Sequence, residues 1–255
     1  MRAAERAFLT AHRAHDAAAL LERWRKAARQ AGWSVTEIEG PGVFPVLALR
    51  TPVSDQGGLY LSAGMHGDEP AAPWALLEWF ETNGRRLSGK PLALFPCLNP
   101  GGLSLNTRAD PYGEDLNRQF HRSDHPLVSA WRTWLGPQQF RLALCLHEDY
   151  DGQGVYCYEL YHPSQPALAD RLLVACESII PRDPRSRIEG RKAVRAVVRR
   201  THPPTDLPGF PEAIALHLGI AGHILTFESP SEFSFYQRVR AQRAFVAAAV
   251  RSLEW

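Results

Sequence analysis

The chain has 255 residues, of which 45% are hydrophobic and 22% charged, with a formal net charge of +2. This composition supports a sizeable core and excludes a disordered chain, and its balanced acids and bases point to neither a nucleic-acid nor a membrane partner. Its cysteines, Cys97, Cys145, Cys157 and Cys176, form no C-x-x-C pair and read as buried reduced thiols, which favours the cytoplasm. The amino terminus carries charges every few residues and has no apolar h-region, so a soluble, unexported protein is expected.

In chain order, helical spacing of Phe8, Ala11, Leu20, Leu21 and Trp24 predicts a leading helix over 3–31 that stops at Gly32. Two strands follow, SVTEIE and VFPVLALR, then a third, GLYLSAG, which runs into the turn AGMHGDEP at 63–70. Pro70 and Pro73 suit the first turn of a helix reaching about Thr82. PLALFPCLN (91–99), RLALCLH (141–147) and GHILTFE (222–228) are short, nearly continuous apolar runs of the kind buried on both faces of a sheet. Helical patterns at 125–135, 166–179 and 232–253 separate them, while 181–212 reads as irregular, proline-rich and basic. The alternation predicts one α/β domain spanning 1–255, a three-layer α/β/α sandwich with a mixed, mostly parallel sheet.

The apolar strands end in polar groups: His66 and Glu69 after GLYLSAG, Asn99 after PLALFPC, His147 after RLALC, and Glu228 after GHILTF. Ligands of open α/β sheets gather at the carboxyl ends of strands, so these residues are expected to converge on one cleft. Any single one of them is explained as well by solvent at a strand end. His66, Glu69 and His147 together offer two imidazoles and a carboxylate, a set used by catalytic zinc with a fourth position left for water. H-x-x-E alone is a weak motif, and H-E-x-x-H is absent because Asp151 stands where the second histidine would fall.

His66-Gly-Asp-Glu69, Asn99-Pro-Gly-Gly, Arg108 followed by Asp115-Leu-Asn-Arg118, His147 after an apolar strand, and Glu228 in TFES resemble the zinc carboxypeptidase family and its deacylase relatives. The resemblance runs in order over residues 59–229, and the spacing RADPYGEDLNRQF looks closest to bacterial murein peptide amidases. It implies a zinc exopeptidase fold and one zinc ion held by His66, Glu69 and His147, with Asp115 orienting a ligand imidazole. It further implies that Arg108 stabilises a developing oxyanion, that Asn117 and Arg118 hold a substrate carboxylate, and that Glu228 is the general base. Residues 201–227 contain no tyrosine to match the mobile tyrosine of the digestive enzymes, so Tyr156, Tyr158 and Tyr161 are the candidates for that place.

Three functions follow. The first is a zinc peptidase or amidase acting on a small peptide with a free carboxylate, and the second a deacylase of N-acyl amino acids, like the aspartoacylase and succinylglutamate desuccinylase branch. The third is a silent metal-binding protein, against which Arg108 and Glu228 argue. The basic stretch 181–200, seven arginines and one lysine against two acids, reads as a solvated face or as a rim that attracts anions. It lacks the interleaved aromatics of a nucleic-acid surface. The remaining histidines read as surface or core residues, and Cys145 should share a sheet face with His147.

Overall fold

The computed structural model describes residues 3–51 and 57–253, so the extreme ends of the 1–255 domain reading and residues 52–56 lie outside the described residues. The elements in order are α1 (Ala3–Ala11), α2 (Ala17–Ala31), β1 (Ser34–Ile38), β2 (Val46–Arg50), β3 (Gly58–Ala63), α3 (Ala71–Leu87), β4 (Leu92–Phe95) and α4 (Pro100–Leu105). A 3₁₀ turn (Leu116–Arg118) precedes α5 (Pro126–Leu135), β5 (Phe140–Asp149), β6 (Tyr156–Tyr161) and α6 (Ala169–Leu173). The chain ends with β7 (Arg187–Ile188), β8 (Arg191–Lys192), β9 (Val197–Arg200), α7 (Glu212–His217), β10 (His223–Pro230) and α8 (Phe235–Ser252).

Eight strands form one sheet in the order β1-β2-β4-β3-β5-β10-β6-β9. The central four, β4, β3, β5 and β10, are mutually parallel, while β2 and β6 run antiparallel to them. β3 and β4 are wholly buried, as their unbroken apolar runs require. Successive side chains alternate between faces. Leu59, Leu61 and Ala63 of β3 join a core with α1, α2, α3, α6 and α8, whereas Tyr60 joins a second core with α5 and α7. This is the mixed, mostly parallel α/β/α sandwich that the sequence predicts.

The departures have local causes. The leading helix is two helices, because the Asp16 side chain accepts the Ala19 N–H at 2.9 Å and starts α2 afresh. Gly32 ends α2 in the left-handed conformation, as expected. α3 continues past Thr82 to Leu87. The pattern at 166–179 yields only α6, after which the N–H groups of Ala175, Cys176 and Ile179 bond three residues back and the chain continues as turns. β2 starts at Val46, immediately after Pro45. The stretch 181–212 is ordered into the β7–β8 hairpin, β9 and the first residue of α7. Most of its arginines are committed to ion pairs: Arg182 with Asp170 and Glu177, Arg185 with Asp183, Arg191 with Asp206, Arg195 with Asp170, and Arg199 with Glu159.

Candidate metal centre

The site begins where β3 stops. Gly64, at φ +61°, turns the chain out of the sheet, and its carbonyl accepts the Asn99 N–H at 2.7 Å. Asn99 caps α4, its Oδ1 accepting the Gly102 N–H at 2.8 Å. That geometry brings α4 so close that a Cβ on Gly67 would lie 1.9 Å from the Gly102 carbonyl carbon. The glycines of H-G-D-E and N-P-G-G thus fit one backbone against another, which holds His66 and Glu69 at the end of β3.

His147 arrives from β5, the neighbour of β3, and the three side chains meet in a dry place. His66 is 3% exposed, Glu69 5% and His147 4%. The Nδ1 of His66 lies 2.5 Å from Glu69 Oε1, and the Nδ1 of His147 lies 2.9 Å from Glu69 Oε2. One ligand atom from each of the three falls within 4.8 Å of the others, among the described residues the one such group of histidine, cysteine, aspartate and glutamate. Both imidazoles therefore aim the same nitrogen at one point. The opposite nitrogen of His66 is 3.4 Å from Asp115 Oδ1. A carboxylate behind a ligand imidazole fixes its tautomer and raises its basicity. This donor set fits zinc, which takes imidazole nitrogen and carboxylate oxygen in a site with one position open.

The electrostatics follow from the same contacts. Burial opposes a charged imidazole, but Glu69 and Asp115 outweigh it and raise His66 to about 9. Burial pushes Glu69 up, yet the two histidines hold it well below the usual carboxylate range. Burial likewise works against Asp115, and its contact with His66 lowers it. Arg108 donates from Nε to Asp115 Oδ2 at 3.1 Å and places Nη1 3.9 Å from Glu69 Oε1.

Glu228 stands on β10, in register with His147 on β5. Its carboxylate is 9% exposed and makes no hydrogen bond among the described residues. Burial pushes it far above the usual carboxylate range, His147 works against that, and Glu69 and Asp149 add to it. Asn117 and Arg118 lie on the 3₁₀ turn, which Asp115 caps by accepting the Asn117 N–H. The Asn117 Oδ1 accepts the Glu212 N–H at 3.0 Å, so its oxygen is committed although the residue lines the cavity. Arg118 donates to the Asn117 carbonyl at 3.0 Å and has no carboxylate within 4 Å among the described residues.

His66, Glu69, Arg108, Asn117, Arg118, His147 and Glu228 line a single cavity of about 220 Å³, while Asp115 sits behind His66 and Asn99, expected at the same cleft, is instead buried as the cap of α4. Cys145, two residues before His147 on the same face, is both buried core and cavity floor. Of the three tyrosines, Tyr156 and Tyr158 line the cavity, their hydroxyls donating to Asp149 and Glu189, whereas Tyr161 stacks on His223 elsewhere.

Sequence reasoning missed Glu212. It is 1% exposed and accepts hydrogen bonds from the hydroxyls of Tyr60 and Ser62 while its N–H holds Asn117. Arg191 and Arg200, from the basic stretch read as a solvated face or an anion-attracting rim, line the cavity, whereas the wall segment around Leu207 and Pro211 was missed. No spacing signal marks either.

Residues 55–166 match the model of the succinylglutamate desuccinylase/aspartoacylase catalytic domain. Among curated proteins no sequence match is found. A candidate metallopeptidase of Shewanella denitrificans OS217 superposes with a TM-score of 0.81 at 21% identity, covering 94% of this chain and 91% of that one. One from Shewanella baltica OS155 gives 0.78 at 24% identity, covering 93% of each chain. A Pseudomonas aeruginosa metallo-carboxypeptidase gives 0.56 at 19% identity over 90% of this chain and 68% of its own. At these identities the likeness is one of fold. The stretch 55–166, over which the chain is similar to the succinylglutamate desuccinylase/aspartoacylase catalytic domain, contains His66, Glu69 and His147.

Proposed function

We propose that the chain is a single-domain zinc hydrolase that cleaves an amide bond in a small substrate bearing a free carboxylate. One observation carries this reading: the His66, Glu69 and His147 ligand atoms, the Glu228 carboxylate, Arg108 and Arg118 share one cavity of about 220 Å³, which suits a small molecule rather than a protein.

When bound, zinc would polarise the amide carbonyl and bring water's pKa down to about 7. Glu228, buried and without a hydrogen bond among the described residues, would be kept ionised by the charge of the bound ion and so takes the proton of the attacking water on its carboxylate and returns it to the leaving nitrogen. Arg108, anchored through Nε on Asp115 and with Nη1 3.3 Å from His66 Nδ1, brings its guanidinium beside the ligand atoms, where it serves the oxygen on which charge develops. Asp115 holds His66 in the tautomer whose Nδ1 is free to act as a ligand. Arg118, without a carboxylate partner among the described residues, receives that of the substrate by its bidentate fork.

The match over 55–166 supports N-acyl amino acids as substrates, whereas the spacing RADPYGEDLNRQF supports a murein-type peptide. Four free buried cysteines fit a reducing compartment such as the cytoplasm. No described helix is long and apolar enough to cross a membrane. The test is incubation of the zinc-loaded protein with N-acyl amino acids, small peptides and murein fragments, with products read by mass spectrometry. Release of a free amino acid from one class supports the reading and selects the substrate. A zinc-loaded protein that cleaves no member of the panel overturns it.

A further inference from the structure

The peptide group joining His147 to Glu148 is held at both of its polar atoms. Its carbonyl oxygen accepts from Gln242 Nε2 at 2.6 Å, and its N–H donates to Glu69 Oε2 at 3.1 Å. His147 and Glu69 are two of the three metal-ligand candidates, so the orientation of this one peptide plane bears on both. Gln242 lies on α8, is fully buried, and also donates to Ser229 Oγ at 3.0 Å on the neighbouring strand β10.

A second contact comes from the same helix face one turn earlier. Arg238 pairs with the Glu148 carboxylate, whose Oε1 accepts the Ala71 N–H at 2.5 Å in the first turn of α3. Glu148 is itself among the residues that line the cavity, but its carboxylate is taken up by Arg238 and the Ala71 N–H, on α8 and α3. Its main-chain N–H holds Glu69, while its side chain holds Ala71, two residues further on. The segment that supplies Glu69 is therefore fixed at two points by one residue, and Arg238 supplies the countercharge that lets a carboxylate remain buried there.

We infer that Arg238 and Gln242, spaced i, i+4 on α8, are positioning residues for the metal ligands: they fix the His147–Glu148 peptide and the start of α3, so that Glu69 and His147 present their ligand atoms to one point. Neither side chain touches the ligand atoms themselves. Partners beyond the ligands that orient them typically change metal affinity by about 10- to 100-fold when removed. The inference rests on reading His66, Glu69 and His147 as the metal site.

The test measures zinc affinity of the folded, metal-free protein by competition with a chromophoric chelator, together with its melting temperature. Wild type is compared with Gln242→Leu, Arg238→Met and a control, Val246→Ala, which removes buried packing from α8 without touching this network. Gln242→Leu and Arg238→Met are expected to weaken zinc about 10- to 100-fold. Val246→Ala is expected to lower the melting temperature and leave the affinity at the wild-type value. Should Gln242→Leu fail to fold, Arg238→Met carries the test alone. Folded variants that bind zinc as tightly as wild type overturn the inference, as does a Val246→Ala variant weakened to the same degree, which would make the effect a general loosening. A wild-type protein that takes up no zinc overturns the site reading and this inference with it, whereas a zinc-loaded protein without hydrolytic activity overturns only the proposed reaction.

Discussion

Replacing Glu228 by Gln separates a proton-transfer group from a merely buried carboxylate. The substitution keeps the shape and one acceptor oxygen but cannot take a proton from water. In the structure the carboxylate is 9% exposed, faces His147 across the β5–β10 pair and has no hydrogen bond among the described residues, so no network is broken by the change. General-base catalysis contributes about 10²- to 10⁴-fold, and at 1.36 kcal/mol per decade the barrier should rise by about 2.7–5.4 kcal/mol. Stability should move the other way. A carboxyl whose folded value lies above its unfolded one loses folded-state stability as pH rises past the unfolded value, because the charge is harder to bury than to hydrate. Glutamine removes that charge, so the metal-free variant should melt at or above the wild-type temperature at neutral pH. The assay is kcat, zinc content and melting temperature on the substrate identified by the panel. Turnover at the wild-type rate, or a variant that loses its zinc, refutes the reasoning.

Arg118→Lys should raise KM or weaken binding of a carboxylate product by about 1.5–3 kcal/mol while leaving the melting temperature unchanged, since a lysine cannot reproduce the fork; product titration by calorimetry checks this. Tyr60→Phe leaves the buried Glu212 carboxylate without the Tyr60 hydroxyl and the Trp131 indole N–H without its acceptor, and should cost about 1–3 kcal/mol in urea unfolding. Burial pushes Glu159 up, but His223, the N–H groups of Leu168 and Ala169, and Arg199 hold it down at about 2. Its ionised form therefore stabilises the fold above the ordinary carboxylate range. The stability gap between wild type and Glu159→Gln should be constant at neutral pH and close as pH falls from about 4.5 towards 2, as read by denaturant titrations at several pH values.

The central strands are legible because β3, β4, β5 and β10 are buried on both faces and so carry unbroken apolar runs. The polar residues at their ends are legible for the same reason, since His66, His147 and Glu228 interrupt those runs. The edge of the sheet is not. Tyr156–Tyr161 alternates and mixes tyrosines with Glu159, and β9 carries Arg199 and Arg200, so neither resembles a core strand until Glu159 and Arg199 are seen to neutralise one another at 2.9 Å. The break at Asp16 was open to reading, because an aspartate before Ala-Ala-Ala-Leu-Leu is a capping signal, but the apolar spacing across it masks the cap. Glu212 and Gln242 are hidden for another reason. Each is a polar residue in a short-range context typical of a helix surface, and only the contacts from distant strands make it buried. Asn117 shows the same limit at the site itself, where a residue assigned to substrate spends its oxygen on the Glu212 N–H.

The claim on which the whole account depends is that His66, Glu69 and His147 hold one metal ion, and metal analysis of the purified wild type beside His147→Ala tests it most directly. The account predicts one equivalent of zinc in the wild type and loss of tight binding in the variant, with both proteins folded. A His147→Ala protein that keeps a full equivalent of zinc at unchanged affinity would contradict it.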